Sequence, residues 1–214
     1  IEPLDTVLGR AVALVKTSLS MPHVTALSAD GVAYHVGGAS EAQELAAMLA
    51  TFVAYLRACE HGGVAPADAI PKISVALAAD ADQFSTIAKL RAARTLVWQV
   101  AHACGAGEAA AKVTFNVPTS YRMMSKRDPW TNILRTTIAC AAAALGGADA
   151  ICVLPFTFAL GKPDAFARRV ARNIQIVCQE ESNLGRVADP SGGSWYVEQL
   201  TQDIARKAWE IFQD

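Results

Sequence analysis

Short β-branched and apolar runs alternate along the chain with long segments of helical periodicity. The short runs predict four strands, at about residues 23–29, 72–78, 112–117 and 150–155. One strand followed by one helix about every 35–50 residues is typical of parallel strands joined by right-handed crossovers. The pattern therefore predicts an α/β fold built on a parallel sheet, with helices on the outer face of that sheet only.

The long segments predict helices with one apolar face each. The first begins at about Ser40, and its apolar positions are Leu45, Leu49, Phe52, Val53 and Leu56. The next two carry Phe84, Ile87, Leu90 and Val97, and then Ile133, Leu134, Thr137, Ile138, Ala141 and Leu145. A helix opened by Pro163 turns Phe166, Val170, Ile174 and Val177 inward, and after a short extended segment and a glycine turn a last helix runs through Phe212.

The helix that follows "RDPW" has clear start and stop signals. Asp128 is the predicted N-cap, and Pro129 occupies the first turn, where its missing N–H costs nothing. Gly146-Gly147 is predicted to end the helix.

The chain length and two absent motifs reduce the number of α/β folds that fit the sequence. Neither GxGxxG nor GxxxxGK[ST] occurs, which argues against a nucleotide-binding fold. A (β/α)8 barrel needs about 250 residues, so four units in 214 residues predict half of a TIM barrel. We assign 1–21 to an N-terminal helix or linker and 22–214 to the half barrel. Because such a sheet has open edges, we expect it to dimerise or to be completed by a larger chain.

Composition excludes several classes of protein. The chain is 52% hydrophobic and 18% charged with a net charge of -1, which indicates neither disorder nor nucleic-acid binding. No apolar run approaches the roughly 20 residues needed to span a bilayer. Five widely spaced cysteines without a CxxC pair indicate reduced thiols and a cytoplasmic protein. Because the chain begins with Ile1 rather than methionine, we expect an internal segment of a longer polypeptide.

Barrel active sites lie where strands end and the following loops begin. His35 is the histidine in such a loop and is a candidate general acid, although no partner identifies it, and a structural role is the alternative. Asp80 and Asp82 are interpreted as helix-capping residues. Arg122, with Lys126 and Arg127, is a candidate for holding an anionic group, and a solvated basic loop is the alternative. No metal ligands occur at diagnostic spacing.

Several long motifs resemble the acyl-CoA mutase family, typified by methylmalonyl-CoA mutase, over residues 22–214. They are "GGASEAQELA", "AKLRAARTLVW", "KRDPWTNILRTTIACAAAALGGADAICVLPF" and "ALGKPDAFARRVARNIQIVCQEESNLGRVADPSGGSWYVEQLT". The resemblance implies the C-terminal half, roughly strands five to eight, of a (β/α)8 substrate barrel. It also implies a radical rearrangement of methylmalonyl-CoA to succinyl-CoA in a holoenzyme that holds adenosylcobalamin on a separate domain.

This sequence departs from the family pattern at polar pocket positions. Where active subunits have a Tyr-His pair after the strand-five glycine, Val32-Ala33 follow Gly31. Asn116 and Pro118 stand at the His and Gln of "RTHSQTSG", and Leu154 and Phe158 replace the polar residues of the cofactor face. We keep Asn116 and Arg122 as candidate substrate-binding residues, and we interpret the Thr119–Arg127 loop as a structural connection.

These departures resemble the family's small, non-catalytic subunit. The corrin-binding signature DxHxxG is absent, so the resemblance implies no adenosylcobalamin bound by this chain. The implied partner is a large catalytic subunit or the remainder of the same barrel, and a homodimer is a further alternative. Two other functions stay open: an active mutase with His35 in the catalytic position, and a non-enzymatic binding module.

Overall fold

A computed structural model describes residues 2–214, so Ile1, the first residue of the predicted 1–21 segment, lies outside the described residues. Four strands form one sheet: β1 (Leu27–Asp30), β2 (Ile73–Ala76), β3 (Phe115–Pro118) and β4 (Ala150–Cys152). Their order is β1-β2-β3-β4, and every neighbouring pair is parallel. The predicted α/β class and the parallel pairing are therefore confirmed.

The described residues also form eight α-helices. In chain order they are α1 (Leu4–Ser18), α2 (Val32–Val36), α3 (Glu41–His61), α4 (Pro66–Ala69), α5 (Gln83–Ala103), α6 (Thr131–Leu145), α7 (Ala165–Ile176) and α8 (Trp195–Gln213). No helix among residues 2–214 is long and apolar enough to cross a membrane.

Two strands begin later than the sequence pattern predicts. Lys72 donates hydrogen bonds from Nζ to the carbonyl oxygens of Met21 (2.6 Å) and Val24 (3.2 Å), which holds the segment before β1 in turns. Before β3, Gly107–Lys112 forms a 3-10 helix, so the predicted strand 112–117 starts only at Phe115.

Strand residues alternate between two very different surroundings. One set packs against α3 and α5 in the main core: Ala29, Ile73, Val75, Phe115 and Val117. The alternate residues point to the opposite side, where most are exposed or half-buried: Ser28, Asp30, Ala76, Asn116, Pro118 and Cys152. Ser74 on the same side is buried, and its hydroxyl donates to the Leu27 carbonyl oxygen at 3.1 Å. We call this second side the bare sheet face. Side chains alternate across a strand, so helices cover one side of the sheet and leave the other open.

The helices over the sheet form two layers. α3 and α5 contact each other and the sheet, and α8 packs across both of them from outside. Trp209 and Phe212 of α8 line a cavity with Val53 of α3 and Val100 of α5. α8 therefore buries its apolar side against other helices rather than against a strand. The segment before α8, predicted to be extended, consists of turns and bends.

The start of α3 agrees with its sequence signal, whereas the start of α6 does not. Ser40 forms a capping box with Gln43, with the Ser40 N–H 2.9 Å from Gln43 Oε1. Asp128 has a left-handed backbone (φ 46°), its carboxylate accepts from the Thr131 hydroxyl, and no side-chain cap is present at the start of α6. The prediction that Asp128 is the N-cap is wrong, because the chain turns there before the helix begins.

Two predicted apolar faces are only partly buried. Small residues form the buried side of α6: Asn132, Thr136, Ala139, Cys140, Ala142 and Ala143. Leu134 and Ile138, predicted to share an apolar face, are exposed. Ile174 of α7 is buried as predicted, but Phe166 and Val177 are exposed.

Candidate functional site

The loops that leave β1, β2 and β3 converge at the carboxyl end of the sheet. The first carries α2, a short helix that forms where the sequence predicted only the loop that contains His35. Its His35 side chain reaches Asp80 after β2 and Ser120 after β3. One side chain thus connects three successive βα loops.

His35 is sealed from solvent, with 1% of its surface exposed. Its Nε2 lies 2.7 Å from Ser120 Oγ and 3.5 Å from Asp80 Oδ2, while Nδ1 lies 3.4 Å from Glu44 Oε2. A carboxylate near each ring nitrogen favours a proton on both of them. The geometry therefore fits a buried imidazolium.

Beneath the histidine lies a second buried pair of charges. Lys89 Nζ of α5 is 2.6 Å from Glu44 Oε2 of α3, and both side chains are fully buried. The other carboxylate oxygen, Glu44 Oε1, accepts the backbone N–H of Ala78 at 2.7 Å. Glu44 thereby ties the first turn of α3 to the end of β2 and to α5.

Arg122 completes the arrangement from the loop after β3. Its Nη1 donates to the carbonyl oxygens of His35 and Ala39, each at 3.1 Å, and its Nη2 lies 3.7 Å from Asp80 Oδ2. We define the carboxyl-edge cluster as the side chains of His35, Glu44, Asp80, Lys89, Ser120 and Arg122.

The pKa directions within the cluster agree with this geometry. Burial acts to lower the pKa of His35, but the nearby carboxylates of Asp80 and Glu44 outweigh it, and the pKa is raised above 6.5. Burial likewise acts to raise the pKa of Glu44, yet His35 and Lys89 lower it. Interaction with His35 lowers the pKa of Asp80 to about 2. The cluster thus stabilises the imidazolium form of His35, and both carboxyl groups are ionised at neutral pH.

The tight packing of the cluster explains why a glycine follows β1. A Cβ built on Gly31 would lie 2.9 Å from Glu44 Cγ and 3.1 Å from Leu77 Cδ2. Glu44 reaches the end of β2 through the space that this missing side chain leaves.

Sequence reasoning found some members of the cluster and missed others. It singled out His35 and Arg122, which the structure brings together. It interpreted Asp80 and Asp82 as caps, but only Asp82 caps α5, by accepting the Ser85 N–H at 3.2 Å. Glu44, Lys89 and Ser120 were missed. A lysine inside the apolar stripe of α5, beside Ile87 and Leu90, is the signal that could have indicated a buried charge.

Comparison with known proteins identifies the family of this chain. The profile of the methylmalonyl-CoA mutase family matches residues 3–214. The chain belongs to this family. The methylmalonyl-CoA mutase small subunit of Streptomyces virginiae is 54% identical over 193 residues, which are 90% of this chain and 31% of that protein. The small subunit of Propionibacterium freudenreichii subsp. shermanii is 45% identical over 215 residues, covering 100% of this chain and 33% of that protein.

A third mutase relative does not carry the small-subunit name. The methylmalonyl-CoA mutase of Escherichia coli (strain K12) is 38% identical over 197 residues, which are 91% of this chain and 27% of that protein. The chain thus spans about a third of the length of the relatives that it matches. The family profile also includes most of the N-terminal segment, which the sequence motifs had left outside the resemblance.

The mutase-like pocket positions lie apart from the carboxyl-edge cluster. Asn116 and Pro118 are half-buried on the bare sheet face, and the Asn116 side chain makes no hydrogen bond with residues 2–214. Val32 and Ala33 open α2, and the exposed Phe158 ring packs edge-on against Tyr121 with centroids 5.7 Å apart. The structure therefore does not bring Asn116, Arg122 and His35 into one polar pocket.

Proposed function

We propose that this chain is part of the small, non-catalytic subunit of a methylmalonyl-CoA mutase-like isomerase. In this proposal it supplies the C-terminal half, about strands five to eight, of a (β/α)8 barrel. It acts as a cytoplasmic scaffold without an active site of its own and assembles with a large catalytic subunit. The holoenzyme would convert methylmalonyl-CoA to succinyl-CoA with adenosylcobalamin as the source of radical chemistry.

The half-barrel assignment is supported by strand order and by the coverage of the sheet. The four parallel strands follow one another in chain order, whereas a doubly wound sheet reverses its order at a switch point and has helices on both faces. The bare sheet face carries small and polar side chains such as Ser28 and Asn116. A barrel interior completed by four more strands would account for this face and for the two unpaired edges.

The burial of His35 carries the non-catalytic assignment. A general acid must come within hydrogen-bond distance of the atom that it protonates, directly or through one water. His35 is closed off by its own chain, and its ring nitrogens already face Ser120, Asp80 and Glu44. This histidine fits a structural cation better than a group that meets substrate.

The residues at the cofactor-facing positions do not fit a corrin. Leu154 and Phe158 have no side-chain hydrogen-bonding groups, and they offer the macrocycle apolar contact alone. We therefore assign adenosylcobalamin to other parts of the holoenzyme.

Only some of the relatives' names support the small-subunit part of the proposal. The two proteins at 54% and 45% identity are called small subunits, which implies a larger partner. The relative at 38% identity is simply called a mutase. A catalytic role for His35 is the alternative, and it predicts that the loops around His35 open to admit substrate.

The deciding experiment measures turnover of methylmalonyl-CoA by the assembled holoenzyme. The polypeptide that carries this chain is combined with its large subunit, and His35→Gln is compared with wild type per mole of assembled complex. We expect kcat within a few fold of wild type, because a scaffold histidine does not transfer a proton to substrate. A loss of about 10²–10⁴-fold in correctly assembled enzyme would establish the catalytic alternative instead. Asn116→Ala and Arg122→Ala test the two candidate substrate-binding residues in the same way.

A further inference from the structure

The outer side of α6 is apolar where a surface helix is normally polar. Trp130, Leu134 and Ile138 follow one another at intervals of four residues, with 59%, 66% and 42% of their surfaces exposed. They form a line about 12 Å long on one helix face. Phe166 of α7 extends this surface, with its ring centroid 6.4 Å from that of Trp130. We call these four residues the α6 stripe.

The helices that carry the α6 stripe are rich in arginine and lack acidic residues. α6 and α7 contain no aspartate or glutamate, and they contain four arginines: Arg135, Arg168, Arg169 and Arg172. None of these four forms an ion pair with residues 2–214. The Arg169 guanidinium lies 5.3 Å from the Phe166 ring, directly beside the apolar surface. An apolar line with the Arg169 guanidinium beside it, on two helices without acidic residues, favours a partner with apolar and acidic side chains.

The protein itself contains an example of such an interaction. α8 lies across α3 and α5, with Trp209 and Phe212 on its apolar side. Its acidic residue Glu198 places Oε1 2.7 Å from Nη2 of Arg91 on α5. An amphipathic helix with an acidic residue thus already docks on arginine-bearing helices of this fold. The surface of α6 and α7 also combines apolar side chains with arginines, and no helix within residues 2–214 lies on it.

We propose that the α6 stripe binds an acidic amphipathic helix of the partner subunit. A helix face with apolar side chains at four-residue intervals can pack against the apolar face of another helix. A second copy of this chain fits poorly, because a symmetric contact through this patch would bring like arginine clusters together. α8 cannot be the occupant, because its apolar side already packs against α3 and α5. That the occupant belongs to the partner subunit rests on the proposed function. That the occupant is acidic and amphipathic rests on the chemistry of the surface alone.

The first test measures affinity between the full-length polypeptide and the large subunit. Leu134→Glu places a carboxylate at the centre of the α6 stripe and should weaken assembly by about 10–30-fold. The matched control is Leu14→Glu on α1, where a leucine 56% exposed on another helix receives the same charge. Arg169→Glu should weaken assembly and reduce its salt dependence. Assembly unchanged by Leu134→Glu would overturn the inference and leave the scaffold proposal standing.

The second test uses a defined probe, so that failure of the scaffold proposal can be recognised separately. A designed helix of about 20 residues with a leucine core, glutamate flanks and a fluorescent label is titrated with the protein while its fluorescence anisotropy is followed. It should bind wild type and the Leu14→Glu variant, and it should bind Leu134→Glu at least about tenfold more weakly. The same helix with lysine flanks should bind poorly. No binding by the glutamate helix overturns the inference. The partner-subunit assignment is overturned if the probe binds but the full-length polypeptide does not assemble with a large subunit. It is also overturned if the polypeptide self-associates and Leu134→Glu abolishes that self-association.

Discussion

In the carboxyl-edge cluster, buried cations and carboxylates from three loops and two helices pair with one another. On α6 and α7, by contrast, exposed arginines border apolar side chains and pair with no carboxylate among residues 2–214. The first region pairs most of its polar groups within the chain, and of its buried polar atoms only His35 Nδ1, 3.4 Å from Glu44 Oε2, makes no hydrogen bond with residues 2–214. The second leaves both charge and apolar surface unmatched. A buried, paired histidine therefore indicates structure, whereas an exposed, unmatched surface indicates a binding partner.

The largest effect expected within the cluster comes from Lys89→Met. This change leaves the buried Glu44 carboxylate without the ammonium group 2.6 Å away. Removing one partner of a buried ion pair costs about 3–5 kcal/mol of unfolding free energy. Urea denaturation checks the value. The double variant Glu44→Gln/Lys89→Met should recover part of the loss, since glutamine can still accept the Ala78 N–H. A loss below about 1 kcal/mol in the single variant would mean that water reaches Glu44.

Interactions between residues close in sequence were predictable, and interactions between residues far apart in sequence were not. The start of α3 was predictable because Ser40 and Gln43 lie one helical turn apart, and Gly146 ends α6 by donating to Ala142 O at 2.8 Å. The cluster was not predictable, because His35 and Ser120 are separated by 85 positions. Such pairs exist only after parallel strands bring their loops together.

The same physical difference explains the errors in the fold. Short apolar runs predicted every strand, but β1 and β3 begin later than predicted. Before β1, the Lys72 ammonium holds the backbone at Met21 and Val24 in turns. The apolar spacing of α6 predicted a helix correctly. Its inner side nevertheless consists of small residues such as Ala139 and Ala143, and Leu134 points outward. Periodicity identifies an apolar face but does not tell which neighbour covers it.

His35→Gln should show how far the cluster depends on protonation. Losing hydrogen bonds that involve charged groups costs about 1.5–3 kcal/mol of unfolding free energy. The raised pKa of His35 means that its contribution is complete below pH 6.5 and is lost as pH rises through the folded-state pKa. Asp80, with its pKa lowered to about 2, contributes above its ordinary 3.8, and this contribution is lost as pH falls toward 2.

The measurement is the unfolding free energy of wild type and His35→Gln from pH 3 to 9. The difference between them should be largest between about pH 4 and 6.5 and should shrink on the alkaline side. A difference that grows with rising pH would show that His35 is held neutral, contrary to the geometry of its two carboxylate neighbours.

Gly31→Ala tests the packing of the cluster without changing any charge. Its Cβ would lie 2.9 Å from Glu44 Cγ and 3.1 Å from the Glu44 carbonyl oxygen, and overpacking of this kind costs about 1–3 kcal/mol. Gly9→Ala is the matched control, because a Cβ there meets nothing within 4 Å and lies inside helix α1. The control should raise stability by about 0.5–1 kcal/mol. Equal melting temperatures for the two variants would show that the loop after β1 moves aside easily.

Leu134→Ala carries the smallest expected effect and completes the comparison from the outer surface. Leu134 is mostly exposed, so its replacement by alanine should change the unfolding free energy of the chain by less than about 0.5 kcal/mol. The same substitution at Leu90, buried on α5, should cost about 2–5 kcal/mol, because it leaves a cavity in the core. Urea denaturation of both variants measures the contrast. If Leu134→Ala is as costly as Leu90→Ala, α6 is already packed within the chain and the stripe offers no free surface. If it is neutral, the leucine contributes nothing to the stability of its own chain, and binding to another polypeptide is the role left for it.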